Sequence, residues 1–514
     1  MSGLLKSTKA AGGMTLISRI LGLARDVILA RSFGAGVGFD IFIVVFRIPN
    51  FLRRLFAEGG FSQAFVPILA EYKETRSKEE VRALLDQTFT MLGLVLLIVS
   101  FIGVVGASIL ISLFAPGFLE DQNKYELATS MLQITFPYIL FISLTAFAGG
   151  ILNTYRNFSV PAFTPVLLNL SLIACAIWLA PQFAPERQVV SLAWGVFIAG
   201  VAQLAFQIPF LLKLDLLPRP RLTGDRTGVG RVFKLMIPTL FAVSITQINL
   251  LVDTLMASFL QEGSISWLYY SDRLVEFPLG VFGVALATVI LPNLSAEHAN
   301  GSNEAYSKIL TWAFGLVLLI ALPASVGLAI MAKPLLTTLF QYSEFSTSDV
   351  IMASKSLAAY SIGLPAFILV KVLSSAFFSR QDTATPVKIG AVALMSNIVL
   401  ILLLIGMLDH AGLALATSLA AYINAGLLYI MLKKQGHFQL DRQVMTRMLI
   451  RILTGAAVMS GLLLLFVPAI ESWFAWSVYQ RIFQLVLWVS GAVVVYFAVL
   501  WLSGLRKGDF SAPA

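Results

Sequence analysis

Cysteine occurs once in the 514 residues and histidine three times. The single Cys175 excludes an internal disulfide framework. His298, His410 and His437 are scattered at segment ends and give no metal-ligand spacing. Charge is scarce as well. Asp, Glu, Lys and Arg make up 12% of the chain, about half of what a soluble domain carries, which excludes a water-soluble fold. No Walker sequence and no Ser/His/Asp set is present, so neither nucleotide-driven nor hydrolytic chemistry has residues to carry it. The stretch Gly34-Ala35-Gly36-Val37-Gly38 resembles a phosphate loop in composition only. No strand precedes it and no Lys-Ser follows, so it reads as a tight helix connection.

Apolar sequence fills the space that charge leaves. Hydrophobic residues are 58% of the chain and its mean hydropathy is +0.86. The pattern predicts an all-α integral membrane protein of about fourteen transmembrane helices, each near the ~20 residues that a bilayer requires. They run over approximately 12–33, 38–70, 83–114, 125–154, 160–180, 189–212, 232–260, 264–296, 306–332, 347–378, 385–408, 411–432, 447–469 and 479–503. Pro116-Gly117, Pro181, the stretch 218–230 and Asp409-His410 punctuate them, and Pro49 is expected to bend the long second span. Arg19 and Arg25 interrupt what would be the core of a signal peptide, so the first span is expected to be retained.

Lysine and arginine orient these spans. With the amino terminus inside, twenty-three of the 36 lie on cytoplasmic ends and loops, against five (Arg31, Lys124, Arg187, Lys333 and Arg481) on the other side. That asymmetry is the positive-inside signature and places both termini in the cytoplasm. It also accounts for the net charge of +9 without nucleic acid as a partner. Trp267, Tyr269 and Tyr270 stand near a membrane end and read as interfacial anchors.

The chain resembles itself at a shift of 226 residues. Arg47 then falls on Arg273, Phe51 on Phe277 and Phe56 on Phe282, and VPILAE (66–71) nearly superposes on LPNLSAE (291–297). The alternative is chance alignment of apolar helices. Taken as a repeat, it pairs spans 1–6 with 7–12 as two pseudo-symmetric six-helix lobes, 1–225 and 226–440, with two C-terminal helices in 441–514. Parallel repeats of this kind belong to transporters, with cargo held between lobes near the midplane.

Six arginines fall inside otherwise apolar spans: Arg19, Arg25, Arg47, Arg53, Arg54 and Arg273. A cation at bilayer depth costs roughly 2.5–3.5 kcal/mol by insertion scales, so it faces a polar cavity or a partner charge. A cavity lined by guanidinium groups suits an anion, phosphate above all, which the planar fork binds bidentately. Helical spacing places Asp40, Arg47 and Arg54 on one stripe, with Glu58 four residues on. Arg19 and Asp26 share a stripe that Gly22 joins. Ser266 and Arg273 are seven apart, with Glu276 three beyond. Arg273 lies nine residues into its span, roughly 14 Å deep. Structural ion pairs are the competing reading, since Asp26, Asp40, Glu58, Asp253, Asp272 and Glu276 are also intramembrane. They leave an excess of positive charge on the first two helices, which a diphosphate would fit. Lys355 and Lys371 either line the second lobe or snorkel. Asp253, four residues after Asn249, is either a ligand for a monovalent coupling cation or a helix-packing group; no other metal ligand and no resident cofactor is expected.

At these residues the chain resembles the lipid II flippases (MurJ/MviN) of the multidrug/oligosaccharidyl-lipid/polysaccharide (MOP) exporter superfamily. The resemblance is carried by SRILGLARDVILARSFGAG (18–36), FRIPNFLRRLFAEGGFSQAFVPILAEY (46–72) and SWLYYSDRLVEFPLGVFGVALATVILP (266–292). FPYILFISLTAFAGGILNTY (136–155) and YSIGLPAFILVKVLSSAFFSRQDTATPVK (360–388) extend it over essentially the whole chain. It implies a transporter, not an enzyme, that exports undecaprenyl-diphosphate-linked disaccharide-pentapeptide across a bacterial inner membrane by alternating access, for peptidoglycan synthesis. Family positions matched are Arg19, Arg25, Asp26, Asp40, Arg53, Arg54, Glu58, Ser266, Arg273 and Glu276. In this reading the membrane potential or a monovalent cation drives the cycle, and partners are lipid II, membrane lipids and the cell-wall synthesis machinery. The alternatives are a flippase for another undecaprenyl-linked oligosaccharide, a multidrug antiporter, whose cationic drugs favour acidic cavities, and a scaffold without transport.

Overall fold

The computed structural model describes residues 2–54, 61–221, 223, 227–436, 438 and 442–506. Every regular element among them is helical. The chain forms two compact units, Met1–Ile265 and Ser266–Ala514.

In the first unit the α-helices are α1 (Ser2–Phe33), α2 (Val37–Arg53), α3 (Ser62–Thr75), α4 (Lys78–Val105), α5 (Ala107–Phe114), α6 (Gln122–Thr135), α7 (Tyr138–Thr154), α8 (Ser159–Ala174), α9 (Val190–Lys213) and α10 (Thr227–Ala257). The glycine-rich stretch is the tight connection expected: Gly34 takes a φ of +63° and α2 begins three residues later. α2 runs on through Pro49 to Arg53. Helices start where polar side chains can replace water. Ser77 and Glu80 form a capping box at the head of α4, and Asp121 accepts from the main chain of Asn123 and Lys124 at the head of α6. α4 and α6 cross closely enough that a Cβ on Gly103 would fall 1.9 Å from the Phe136 ring, so glycine permits the approach. α10 packs on α2, α3, α4 and α5, and so joins the first unit, whereas the internal repeat begins the second lobe with it.

The second unit comprises α11 (Ser264–Pro278), α12 (Val284–Ala299), α13 (Asn303–Ile330), α14 (Ala332–Phe340), α15 (Thr347–Phe378), α16 (Ala384–Lys434), α17 (Arg442–Phe466), α18 (Ile470–Ala475) and α19 (Val478–Leu502). α16 is 51 residues long, roughly 75 Å if straight at 1.5 Å per residue, more than twice a bilayer core. It breaks at Asp409, where φ is +49° and ψ −131°, at the turn expected from the sequence. A π-helical segment, Leu279–Gly283, separates α11 from α12. At the position 226 residues earlier, α2 likewise gives way to a π-type turn at Arg54.

Among the described residues, ten helical stretches are long and apolar enough to cross a membrane, fewer than the fourteen expected. α2 has 17 residues, and α1 carries Arg19, Arg25, Asp26 and Arg31 along its second half. Polarity is reversed relative to a soluble protein. Phe101, Met407 and Leu465 stand 70–81% exposed on outer faces, while Ser264, Ser266, Ser271, Ser356, Ser361 and Ser418 are fully buried. Ser271 donates to Ala353 O and Ser418 to Ala359 O, so buried hydroxyls join helices through main-chain oxygens.

One expectation is corrected here. Trp267 and Tyr270 are not interfacial anchors, since both are buried. The Trp267 indole donates to Asp349 at 2.8 Å and its ring lies 4.9 Å from that of His410. Tyr270 packs against Phe340 and Phe345. Arg481, one of the five basic residues counted on the outer side, is buried as well. It donates to Trp473 O, Phe474 O, Gln341 O and Thr337 O at 2.8, 2.9, 3.2 and 3.4 Å, joining the ends of α14 and α18 to α19.

Candidate functional site

Residues 18, 22 and 25 of α1 are spaced i, i+4, i+7, and so form one stripe along two turns. α8 packs against α1. Arg25 is buried and wraps back onto its chain neighbour: Nε and Nη2 donate to Asp26 Oδ1 at 3.0 and 2.7 Å. Its Nη1 donates to Asn169 Oδ1 on α8 at 3.0 Å. A carboxylate and an amide thus hold one guanidinium from two directions. Arg19, two turns earlier, is exposed.

On α2 the charges divide. Asp40 is buried and accepts from the main-chain N–H of Gly263 at 2.7 Å. Gly263 has a φ of +89°, a conformation that favours glycine. Arg47 donates to Thr254 Oγ1 of α10 at 2.5 Å. Two members of the expected stripe therefore tie α2 to α10 and to the loop after it. Arg53 and Arg54, both half-buried, stand at the last turn of α2, with Arg53 Nε donating to Asn50 Oδ1 at 2.8 Å. Glu58 lies outside the described residues. Asp253, the candidate cation ligand, is buried on α10 beside Thr254.

In the second unit, Ser266 is fully buried in the first turn of α11. Two turns on, Arg273 Nη1 donates to Glu276 Oε2 at 2.7 Å, while its guanidinium lies 4.8 Å from the centroid of the Tyr269 ring, one turn back. An i, i+4 aromatic beneath a cation and an i+3 carboxylate beside it fix the arm on one face. Lys355 and Lys371 are exposed.

Asn169, Asn50, Thr254 and Tyr269 were not among the residues expected at the site. Asn50 and Tyr269 share a helix face with the arginines they touch, so spacing alone could have found them. Asn169 signals itself only as a lone amide in an apolar run. Thr254, on another helix from Arg47, has no local signal.

Water-facing charges lie apart from this set. Arg231 at the head of α10 makes two 2.9 Å bonds to the carboxylate of Glu71, which hold that carboxyl below its usual range. Lys78 donates to Asp215 at 3.0 Å and lowers its carboxyl likewise, with the Arg82 charge adding to the effect.

The chain is similar to known proteins. The model of the family described as lipid II flippase MurJ matches residues 29–485. The chain is 47% identical over 516 residues to the probable lipid II flippase MurJ of Vibrio cholerae serotype O1, covering 99% of this chain and 98% of that relative. It is 40% identical over 524 residues to the lipid II flippase MurJ of Burkholderia cenocepacia, covering 99% of each. A solved structure of a lipid II flippase MurJ in an inward closed conformation superposes with a TM-score of 0.81 at 28% identity, covering 96% of this chain and 98% of that one. An inward-facing multidrug resistance MATE family transporter of the MOP superfamily gives a TM-score of 0.68 at 14% identity over 83% of this chain and 97% of its own; that likeness shows the fold alone.

Proposed function

This chain belongs to the lipid II flippase MurJ family, and we propose that it moves lipid II from the cytoplasmic to the outer leaflet by alternating access, supplying peptidoglycan synthesis. The carrying observation is the charge balance of α1 and α2. Five intramembrane arginines (Arg19, Arg25, Arg47, Arg53 and Arg54) stand against Asp26 and Asp40 among the described residues. Lipid II is an undecaprenyl-diphosphate, and a diphosphate is the part of it that an excess of guanidinium recognises. In this reading the candidates for binding the diphosphate are Arg25, Arg53 and Arg54 in the first unit and Arg273 in the second, with Arg19 and Ser266 as further candidates. Asp26 and Glu276 hold Arg25 and Arg273 when the cargo has left. Asp40 and Arg47 contribute by fixing α2 to α10.

The protein is placed in the bacterial inner membrane, with both termini in the cytoplasm on the strength of the lysine and arginine asymmetry. The membrane potential is proposed as the driving force, because a cationic site carries charge as it resets. The cell-wall synthesis machinery is the proposed protein partner, as the consumer of the exported precursor.

Depletion of the protein tests the reading. Lipid II is expected to accumulate on the inner leaflet while other undecaprenyl-linked glycans are exported normally. Accumulation of another glycan with lipid II export intact would reassign the cargo.

A further inference from the structure

α8 is apolar over most of its length, and Asn169 is 5% exposed within it. A buried amide is tolerated where its hydrogen bonds are met. Here α1 meets the amide oxygen and one of its N–H groups. Its oxygen accepts from Arg25 Nη1 at 3.0 Å, and its nitrogen donates to Ser18 O at 3.1 Å. Arginine only donates and a main-chain carbonyl only accepts, so the amide's orientation is forced by its partners. Gly22, between them on the same stripe, places its Cα hydrogen side 3.8 Å from the amide nitrogen, measured to the Cβ it would carry. Asn169 therefore spans α1 from residue 18 to residue 25 and ends on the guanidinium.

We infer that Asn169 is a positioning residue that sets the orientation of Arg25 for the diphosphate of the cargo, an inference that rests on the reading of Arg25 given above. The chemistry of the group is what matters. Asp26 takes Nε and Nη2 on one oxygen, and already offsets one positive charge. A second anchor on Nη1 fixes the plane of the guanidinium. Were it a carboxylate, it would orient the arm equally well but overcompensate its charge and repel a phosphate. A neutral amide orients without subtracting charge.

Lipid II binding by the full-length protein in lipid nanodiscs tests this, with thermal unfolding measured on each variant. Asn169→Leu keeps the γ-branched shape and the number of heavy atoms and removes both bonds. It should weaken binding about tenfold, the scale of one hydrogen bond to a charged group. Combined with Arg25→Ala, it should add nothing beyond Arg25→Ala alone, because a positioning residue acts only through its target. Asn169→Asp has nearly the same shape, and a protonated carboxyl offers the same acceptor to Arg25 and the same donor to Ser18 O. Arg25, with Asp26 behind it, faces that position. Relative to wild type at each pH, Asn169→Asp should bind weakly at pH 8 and recover as pH falls towards 5. A role in helix packing alone would not produce that recovery.

Additive losses in the double variant, wild-type binding by Asn169→Leu, or a pH-independent Asn169→Asp protein each overturn the inference. If Asn169→Leu does not fold, the pH profile of Asn169→Asp decides it. If Arg25→Ala binds lipid II as wild type does, the diphosphate reading of Arg25 fails and this inference falls with it. If only the Asn169 variants bind normally, the inference fails alone.

Discussion

A buried arginine persists where acceptors meet its N–H groups, and the acceptors here are neutral groups for some arginines and include a carboxylate for others. Arg47 meets a hydroxyl and Arg481 meets main-chain carbonyls; both join helices. Arg25 and Arg273 each meet a carboxylate carried on their own helix, Asp26 and Glu276, and Arg25 meets the Asn169 amide of α8 besides. A carboxylate holds a guanidinium that an arriving phosphate can compete for, because both bind it through charge-assisted bonds. Arg25→Ala and Arg273→Ala are accordingly expected to reduce transport at least a hundredfold while each protein still inserts. A lipid II accessibility assay, with membrane insertion checked by immunoblot, measures this; wild-type transport by both variants would remove the diphosphate grip from the account. The arginines themselves were legible in the sequence because charge inside an apolar span is conspicuous. Which of them serve cargo and which serve packing was not, since Arg47 and Thr254 lie 207 residues apart.

Elements show the same division. The break in α16 falls at Asp409, where the sequence places polar residues between two apolar runs, and such a turn is a local property. The role of the short α18 is not local. Its carbonyls and those of α14 converge on Arg481, and Tyr496 of α19 donates to Leu319 O of α13 at 2.7 Å. Together these bonds fasten the C-terminal helices to their own unit. Arg481→Met keeps the apolar stem but leaves the carbonyls of Trp473, Phe474 and Gln341 without this donor. Unsatisfied buried acceptors cost on the order of 2–3 kcal/mol in total after partial relaxation. The expected outcome is a lower thermal midpoint in detergent with lipid II binding by the folded fraction retained. An unchanged midpoint would show that the carbonyls find other donors. Trp267 and Tyr270 teach the converse lesson: aromatic residues near a membrane end suggest an interfacial belt, but tertiary packing turns both inward.

At the scale of the whole molecule, a site with net positive charge couples its movement to the membrane potential. One charge crossing a full 100 mV exchanges about 2.3 kcal/mol with the field. In the proposed cycle, with the inside negative, the field draws the empty cationic site back towards the cytoplasm, and cargo binding offsets that charge for the outward step. Collapsing the potential in proteoliposomes, with the pH gradient held constant, should slow flipping several-fold. Unchanged flipping would disprove the coupling.

Membership of the membrane class, the helical fold class and the presence of arginines within apolar stretches all follow from the order of residues along the chain. Hydropathy, span length and buried charge are properties of consecutive residues, and a bilayer imposes helix on any long apolar stretch because the backbone has no other partner there. The pairing of Arg25 with Asn169, of Asp40 with Gly263 and of Arg481 with two helix ends emerged only once the helices were packed. Apart from the bonds of Arg481 to the nearby α18, these join residues distant in sequence, and the lateral order of helices depends on side-chain fit between surfaces that no single segment contains.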